Sequence, residues 1–132
     1  MLLDKKFPGS IRFNGRIPQH ELSKKFYNAA YWAYPTYFCE TMCITALEAQ
    51  AAGTIPIVAD LAALNTTVGI PFLRVDGYPN NDTFRTRFVD RIELIAKTKE
   101  SGKLELIKAG RKHALKHSWE NAYKRWLTAI DS

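Results

Sequence analysis

The spacing of apolar residues divides the chain into two stretches. Up to about residue 75, short apolar runs alternate with amphipathic ones; beyond that point the apolar residues recur at helical spacing. IRFNG at 11–15 predicts a strand ended by Gly15. Pro18 follows, and residues 19–30 predict a helix with Leu22, Phe26 and Ala29 or Ala30 on one face. YWAYP at 31–35 predicts a buried strand terminated by Pro35. Residues 41–52 predict the next helix, closed by Gly53 where a left-handed cap is usual. IPIVA at 55–59 predicts a third strand, with Pro56 tolerated only near its start. A loop or short helix over 61–68 leads to a fourth strand, PFLRV at 71–75. The segment DGYPNND at 76–82 is rich in turn residues and marks the end of the sheet region.

After that segment the pattern is helical. Residues 83–99 place Phe84, Phe88, Ile92 and Ile95 on one face, and a second helix is predicted over 104–117 after Ser101-Gly102. Ser118 is a suitable N-cap for a last helix in which Trp119, Tyr123, Trp126 and Ile130 share a face, a stripe read as core rather than as a carbohydrate platform. Short strands alternating with helices predict a parallel sheet in an α/β layer fold. No repeat, low-complexity tract or linker interrupts the 132 residues, which read as one domain.

Composition changes this picture in three respects. A hydrophobic fraction of 46% predicts a folded chain, yet no apolar run approaches the roughly 20 residues that span a bilayer, and no signal segment is predicted. Cys39 and Cys43, four apart around a helix start, are poorly placed for a bridge and read as thiols in a reducing, cytoplasmic compartment. The formal charge of +6 favours anionic partners: nucleic acid, a phospholipid surface touched from the membrane periphery, or a phosphorylated small molecule. No nucleic-acid reading motif accompanies the charge, so nucleic acid is not an expected partner.

The most informative stretch is PTYFCETMCITALEAQAAGTIPIVAD, residues 35–60. In open α/β sheets ligands bind beyond the carboxyl ends of strands, where a strand feeds a helix. A helix beginning at Thr41 offers the amides of Thr41, Met42, Cys43 and Ile44, which lack intrahelical acceptors and carry the positive end of the dipole, to an anion such as a diphosphate. Glu40 and Glu48 lie eight residues apart, about 12 Å of helix rise. That separation suits a diphosphate flanked by two sugars, each carboxylate accepting from sugar hydroxyls. It also suits a favourable first-turn anion followed by an exposed helix residue, and spacing alone favours that plainer reading.

The same residues carry a family resemblance. Pro35-Thr36, Glu40, Glu48-Ala49, Ala51-Ala52-Gly53 and Pro56-Ile57-Val58-Ala59 resemble the donor-binding half of retaining glycosyltransferases of GT-B architecture, glycosyltransferase family four. IRFNGRIPQHELSKKFYNA upstream, and Ala63-Leu64 and HSWENAYKRW downstream, are similar to the family's flanking segments. The resemblance implies a partial Rossmann-like, three-layer α/β/α domain with a mainly parallel sheet and a helical C-terminus. It implies that Glu48 holds the ribose hydroxyls, that Glu40 contacts the transferred sugar as the catalytic carboxylate, that the amides of Thr41, Met42, Cys43 and Ile44 face the diphosphate, and that Gly15, Arg16 and Ile17 lie near the base. The implied reaction transfers a sugar from a nucleotide-diphosphate sugar to an acceptor with retention, without cofactor or metal. In the commonly proposed mechanism the leaving phosphate takes the acceptor's proton on the same face, so no protein nucleophile is needed.

The chain departs from the family pattern in having Thr41, Met42 and Cys43 where glycines are common, and Asn65-Thr66 where Pro-Glu is common. It matches the family from just before the donor domain's third strand. The first two strands, with their diphosphate-clamping Arg and Lys, and the acceptor-binding half are therefore expected from an upstream half or, for the open sheet edge, from self-association. The family's last helix packs back towards that other half, which would leave part of the Trp119 stripe exposed here. The alternatives are a related epimerase or phosphorylase, and a non-catalytic nucleotide-sugar-binding module completed by a partner chain. His113 and His117, four apart, lack an obvious third metal ligand and read as solvent-facing helix residues; Cys39 and Cys43 lack a second pair and read as small buried residues beside the phosphate turn.

Overall fold

In the computed structural model, which describes residues 9–131, the backbone pairs three parallel strands into an open sheet. β1 (Tyr31–Tyr34) lies beside β2 (Ile55–Ala59), which lies beside β3 (Arg74–Val75), with Tyr31 opposite Ile55 and Val58 opposite Arg74. Every residue of β2 is buried, as a central strand covered on both faces requires. β1 is an edge strand among the described residues, and its residues are half-buried or exposed, so the expectation of a fully buried strand is corrected. No strand forms over 11–15 either: those residues join no strand ladder among the described residues, and a strand without a ladder partner is not stable.

Parallel strands need a crossover, and α2 (Ile44–Ala52) supplies it between β1 and β2. α2 starts three residues later than its apolar spacing predicts. Cys43 occupies the N-cap with non-helical backbone (φ −84°, ψ 84°), and its side chain is buried in the core with Ala46 and Ile57. Gly53 closes the helix in the left-handed conformation at φ 94°, as expected. α1 (Gln19–Asn28) ends two residues before its predicted limit. The buried hydroxyl of Thr54 donates to the carbonyls of Phe26 and Ala29 at 2.6 and 3.2 Å, satisfying end groups that would otherwise be unpaired in the interior.

After β2 the chain makes one helical turn, α3 (Leu64–Thr67), and a 3-10 turn at Pro71–Leu73. Pro71 suits the first position of a turn, where its missing N–H is not needed, so the expected strand over 71–75 shrinks to Arg74–Val75. α4 (Asp82–Lys97), α5 (Glu100–Leu115) and α6 (Trp119–Ile130) follow. α4 buries Phe84, Phe88 and Ile95 in a core shared with β2, Leu64, Val68 and Leu73. α5 begins four residues before its predicted start because Ser101-Gly102 falls in its first turn rather than before it, where Glu100 suits the helix dipole and pairs with Lys103 at 2.8 Å. α6 has the predicted cap, Ser118 accepting from the Asn121 amide, but its apolar stripe is not core: Trp119 is 88% and Trp126 72% exposed. No helix among the described residues is long and apolar enough to cross a membrane.

Candidate functional site

All three strands run the same way, so their carboxyl ends share one rim, and the loops that leave it are tied together. The Ala63 amide, after β2, donates to the Glu40 carbonyl, after β1, at 3.1 Å; the Asp60 amide donates to the Val75 carbonyl of β3 at 2.9 Å. This rim is where ligands of open α/β sheets are held.

Glu40 sits on the rim, half-buried, in the loop between β1 and α2. The Tyr34 hydroxyl, at the end of β1, donates to Glu40 Oε1 at 2.9 Å. A hydrogen bond with Thr36 pulls the Tyr34 phenol down, but burial and the adjacent Glu40 carboxylate outweigh it and leave its pKa above the ordinary tyrosine value. Cys43, whose thiol is raised chiefly by burial and also by the Glu40 charge, sits under the same loop.

Glu48 lies on α2 and faces α1: Gln19 Nε2 donates to Glu48 Oε1 at 2.5 Å, across 29 residues of sequence. Because α1 leads into β1, its first turn returns to the carboxyl rim, and Gln19 follows Ile17 by two residues. The contact thereby brings the loop of Gly15, Arg16 and Ile17 to the same side of the molecule as Glu48. Gly15 takes φ 61°, open to glycine without strain, and the loop is tethered to α1 where Lys25 Nζ donates to Asn14 Oδ1 at 3.0 Å. One turn further along, Glu48 lines a cavity of ≈ 170 Å³ with Ser23, Phe26, Tyr27, Ala51 and Ala52.

The expected amide cradle is corrected. Thr41, Met42 and Cys43 precede the helix, so of the four only Ile44 is helical, and its N–H is already given to the Met42 carbonyl at 3.1 Å. The rise of about 12 Å between the two glutamates likewise does not apply, since Glu40 lies off the helix. The amides of Thr41 and Met42 have no protein partner among the described residues, and that loop carries three exposed apolar side chains, Tyr37, Phe38 and Met42, with Ile44 exposed at the first position of α2. Cys39 is exposed, against its expected burial, while Cys43 is buried as expected.

Gln19 and Tyr34 were not expected at the site. The only sequence signals were positional: Gln19 two residues after the base-side loop, and Tyr34 immediately before Pro35-Thr36. Larger concavities of ≈ 490 Å³ lie elsewhere. One includes Arg74 and Arg91, both already engaged by main-chain carbonyls; the other is lined by Lys108, Arg111, Lys112 and Lys116. His113 and His117 are half-buried rather than solvent-facing. Their rings are 5.2 Å apart, and His113 Nε2 is 2.8 Å from the Thr66 carbonyl, so that histidine is occupied by the backbone. Among the described residues no group of three or more His, Cys, Asp and Glu is placed to hold a metal. Comparison with family models, curated proteins and solved structures gives no match to this chain.

Proposed function

We propose that the chain is the donor-binding portion of a retaining glycosyltransferase that uses a nucleotide-diphosphate sugar. Its three parallel strands and flanking helices are then the part of a three-layer, Rossmann-like α/β/α domain that carries the sugar nucleotide. One observation supports this reading above the others: Gln19 Nε2, two residues after the loop assigned to the base, meets Glu48 Oε1, the carboxylate assigned to the ribose, at 2.5 Å. Glu40, on the rim at the end of β1, has the place expected of a group that contacts the transferred sugar. The diphosphate lies between them, over the unpaired Thr41 and Met42 amides rather than over a regular helix start. No metal or cofactor takes part. The open edge of β1 is covered by an upstream half that also supplies the acceptor site, or by a second copy of the chain, and the protein works in the cytoplasm.

Isothermal titration against uridine, guanosine and adenosine diphosphate sugars tests the reading. Saturable binding to one base is expected. Glu48→Ala weakens it about tenfold or more, the scale of a lost hydrogen bond to a charged group. Glu100→Ala, on an exposed carboxylate paired with Lys103, leaves it unchanged. A folded chain that binds no member of the panel, or that binds equally well without Glu48, overturns the proposal.

A further inference from the structure

Glu40 is held at three points. Its own amide donates to the Phe38 carbonyl at 3.1 Å, its carbonyl accepts from the Ala63 amide at 3.1 Å, and its Oε1 accepts from the Tyr34 hydroxyl at 2.9 Å. The first two fix the backbone; the third fixes the side chain. Tyr34 is itself packed against a neighbour. Its ring stacks on Trp32 with centroids 4.8 Å apart and planes at 15°, and Trp32 meets the buried Phe26 of α1 edge-on at 6.1 Å. An aromatic run anchored in α1 therefore ends in a hydroxyl aimed at one oxygen of Glu40. The other oxygen, Oε2, has no partner among the described residues.

We propose that Tyr34 is a positioning residue for Glu40, presenting the free Oε2 to a hydroxyl of the transferred sugar. This rests on the reading of Glu40 as the sugar-contacting carboxylate. The physical warrant is pre-organisation. A glutamate side chain ordered only on binding spends part of the interaction energy on lost rotamer freedom, whereas one already fixed by a neighbour does not. An acceptor-only carboxylate needs a donor to fix it, and a phenol whose pKa lies above the ordinary value keeps its proton and stays a donor through the physiological range.

Tyr34→Phe removes the hydroxyl and keeps the ring on Trp32, so the test separates positioning from folding. The full chain, its Tyr34→Phe variant and its Glu48→Ala variant are titrated with uridine, guanosine and adenosine diphosphates and with their hexose conjugates. Tyr34→Phe is expected to weaken the hexose conjugate about three- to tenfold while leaving the bare diphosphate within about twofold. Glu48→Ala weakens both ligands together. Equal affinities of wild type and Tyr34→Phe for the conjugate, or equal losses on both ligands, overturn the positioning role and leave the donor-site reading standing. Wild-type protein that binds neither ligand sinks the donor-site reading and the role with it. A ligand-free measurement checks the bond itself: by NMR of labelled tyrosine rings, Glu40→Gln is expected to lower the titration midpoint of Tyr34. An unchanged midpoint overturns the proposal.

Discussion

Arg111, on α5, donates through Nη2 to the carbonyl of Ala52 at 3.0 Å, joining residues 59 apart in sequence at the end of α2. The bond matters because α2 carries Glu48. Gly110, next to Arg111, lies against the buried Gln50 of α2, and Gln50 Nε2 reaches the Thr67 carbonyl at 2.7 Å. At the other end of the helix, the Glu40 loop is pinned to Ala63. α2 is therefore clamped at both ends by elements far along the chain, so the position of Glu48 depends on tertiary packing rather than on α2 alone.

Gly53→Ala tests the clamp. Gly53 sits at φ 94°, and an added Cβ would lie 2.6 Å from Arg111 Nη2. The left-handed conformation costs a residue with a Cβ about 1–2 kcal/mol. The Arg111 guanidinium, at the end of a flexible side chain, can swing aside but loses its bond to Ala52. Denaturant unfolding is expected to show a loss of about 1–2 kcal/mol for Gly53→Ala and less for Arg111→Ala. In the double variant the two losses are expected to add to less than their sum, because one bond is broken by both changes. Strictly additive losses would mean that the glycine and the arginine act independently.

The pH dependence of stability follows from His117. Burial lowers its pKa, and the charges of His113, Arg125 and Lys116 lower it further. In the unfolded chain the same imidazole titrates near its ordinary value of about 6.5. Between the folded and unfolded values the unfolded state binds more protons, so stability rises with pH in that window. Its contribution is intact above about pH 6.5 and is lost as pH falls through the unfolded value towards the lower folded one. Urea midpoints at pH 7.5 and 5.0 are expected to differ less in His117→Asn than in wild type. An equal drop in both proteins would place the acid sensitivity elsewhere.

What the sequence revealed and what it hid divide along a physical line. Segments whose structure is decided locally were legible: β2 from its continuous apolar run, α4 from the 84-88-95 spacing, Gly53 and Ser118 from cap chemistry. Features decided by distant partners were not. Residues 11–15 have strand-like alternation but no neighbouring strand, and the α2 start moves to Ile44 because Cys43 turns its side chain into the core. Glu40 and Glu48 were legible as candidates by type and spacing. Their partners Tyr34 and Gln19 were not, since the first pairing depends on the turn after β1 and the second spans 29 residues.

α6 supplies the sharpest test of a misread pattern. Its periodicity is that of a helix with a buried face, yet the face turns outward: Trp119, Tyr123, Trp126 and Ile130 are exposed, while Asn121 and Arg125 on the opposite side bond the Leu115 and Lys116 carbonyls at the end of α5. Truncating an exposed side chain removes little packing, so Trp119→Ser and Trp126→Ser are expected to shift unfolding of the isolated chain by less than about 0.5 kcal/mol. Phe88→Ala, within the core, should cost about 3–5 kcal/mol. Trp119 and Trp126 should also be open to acrylamide quenching in wild type, and Trp32, half-buried against Phe26 and Tyr34, much less so. If an upstream half or a second copy covers this face, adding it should shield the two exposed tryptophans, and the serine variants should then weaken that association while folding as well as wild type. Serine variants that instead unfold the isolated chain would show that α6 packs inward.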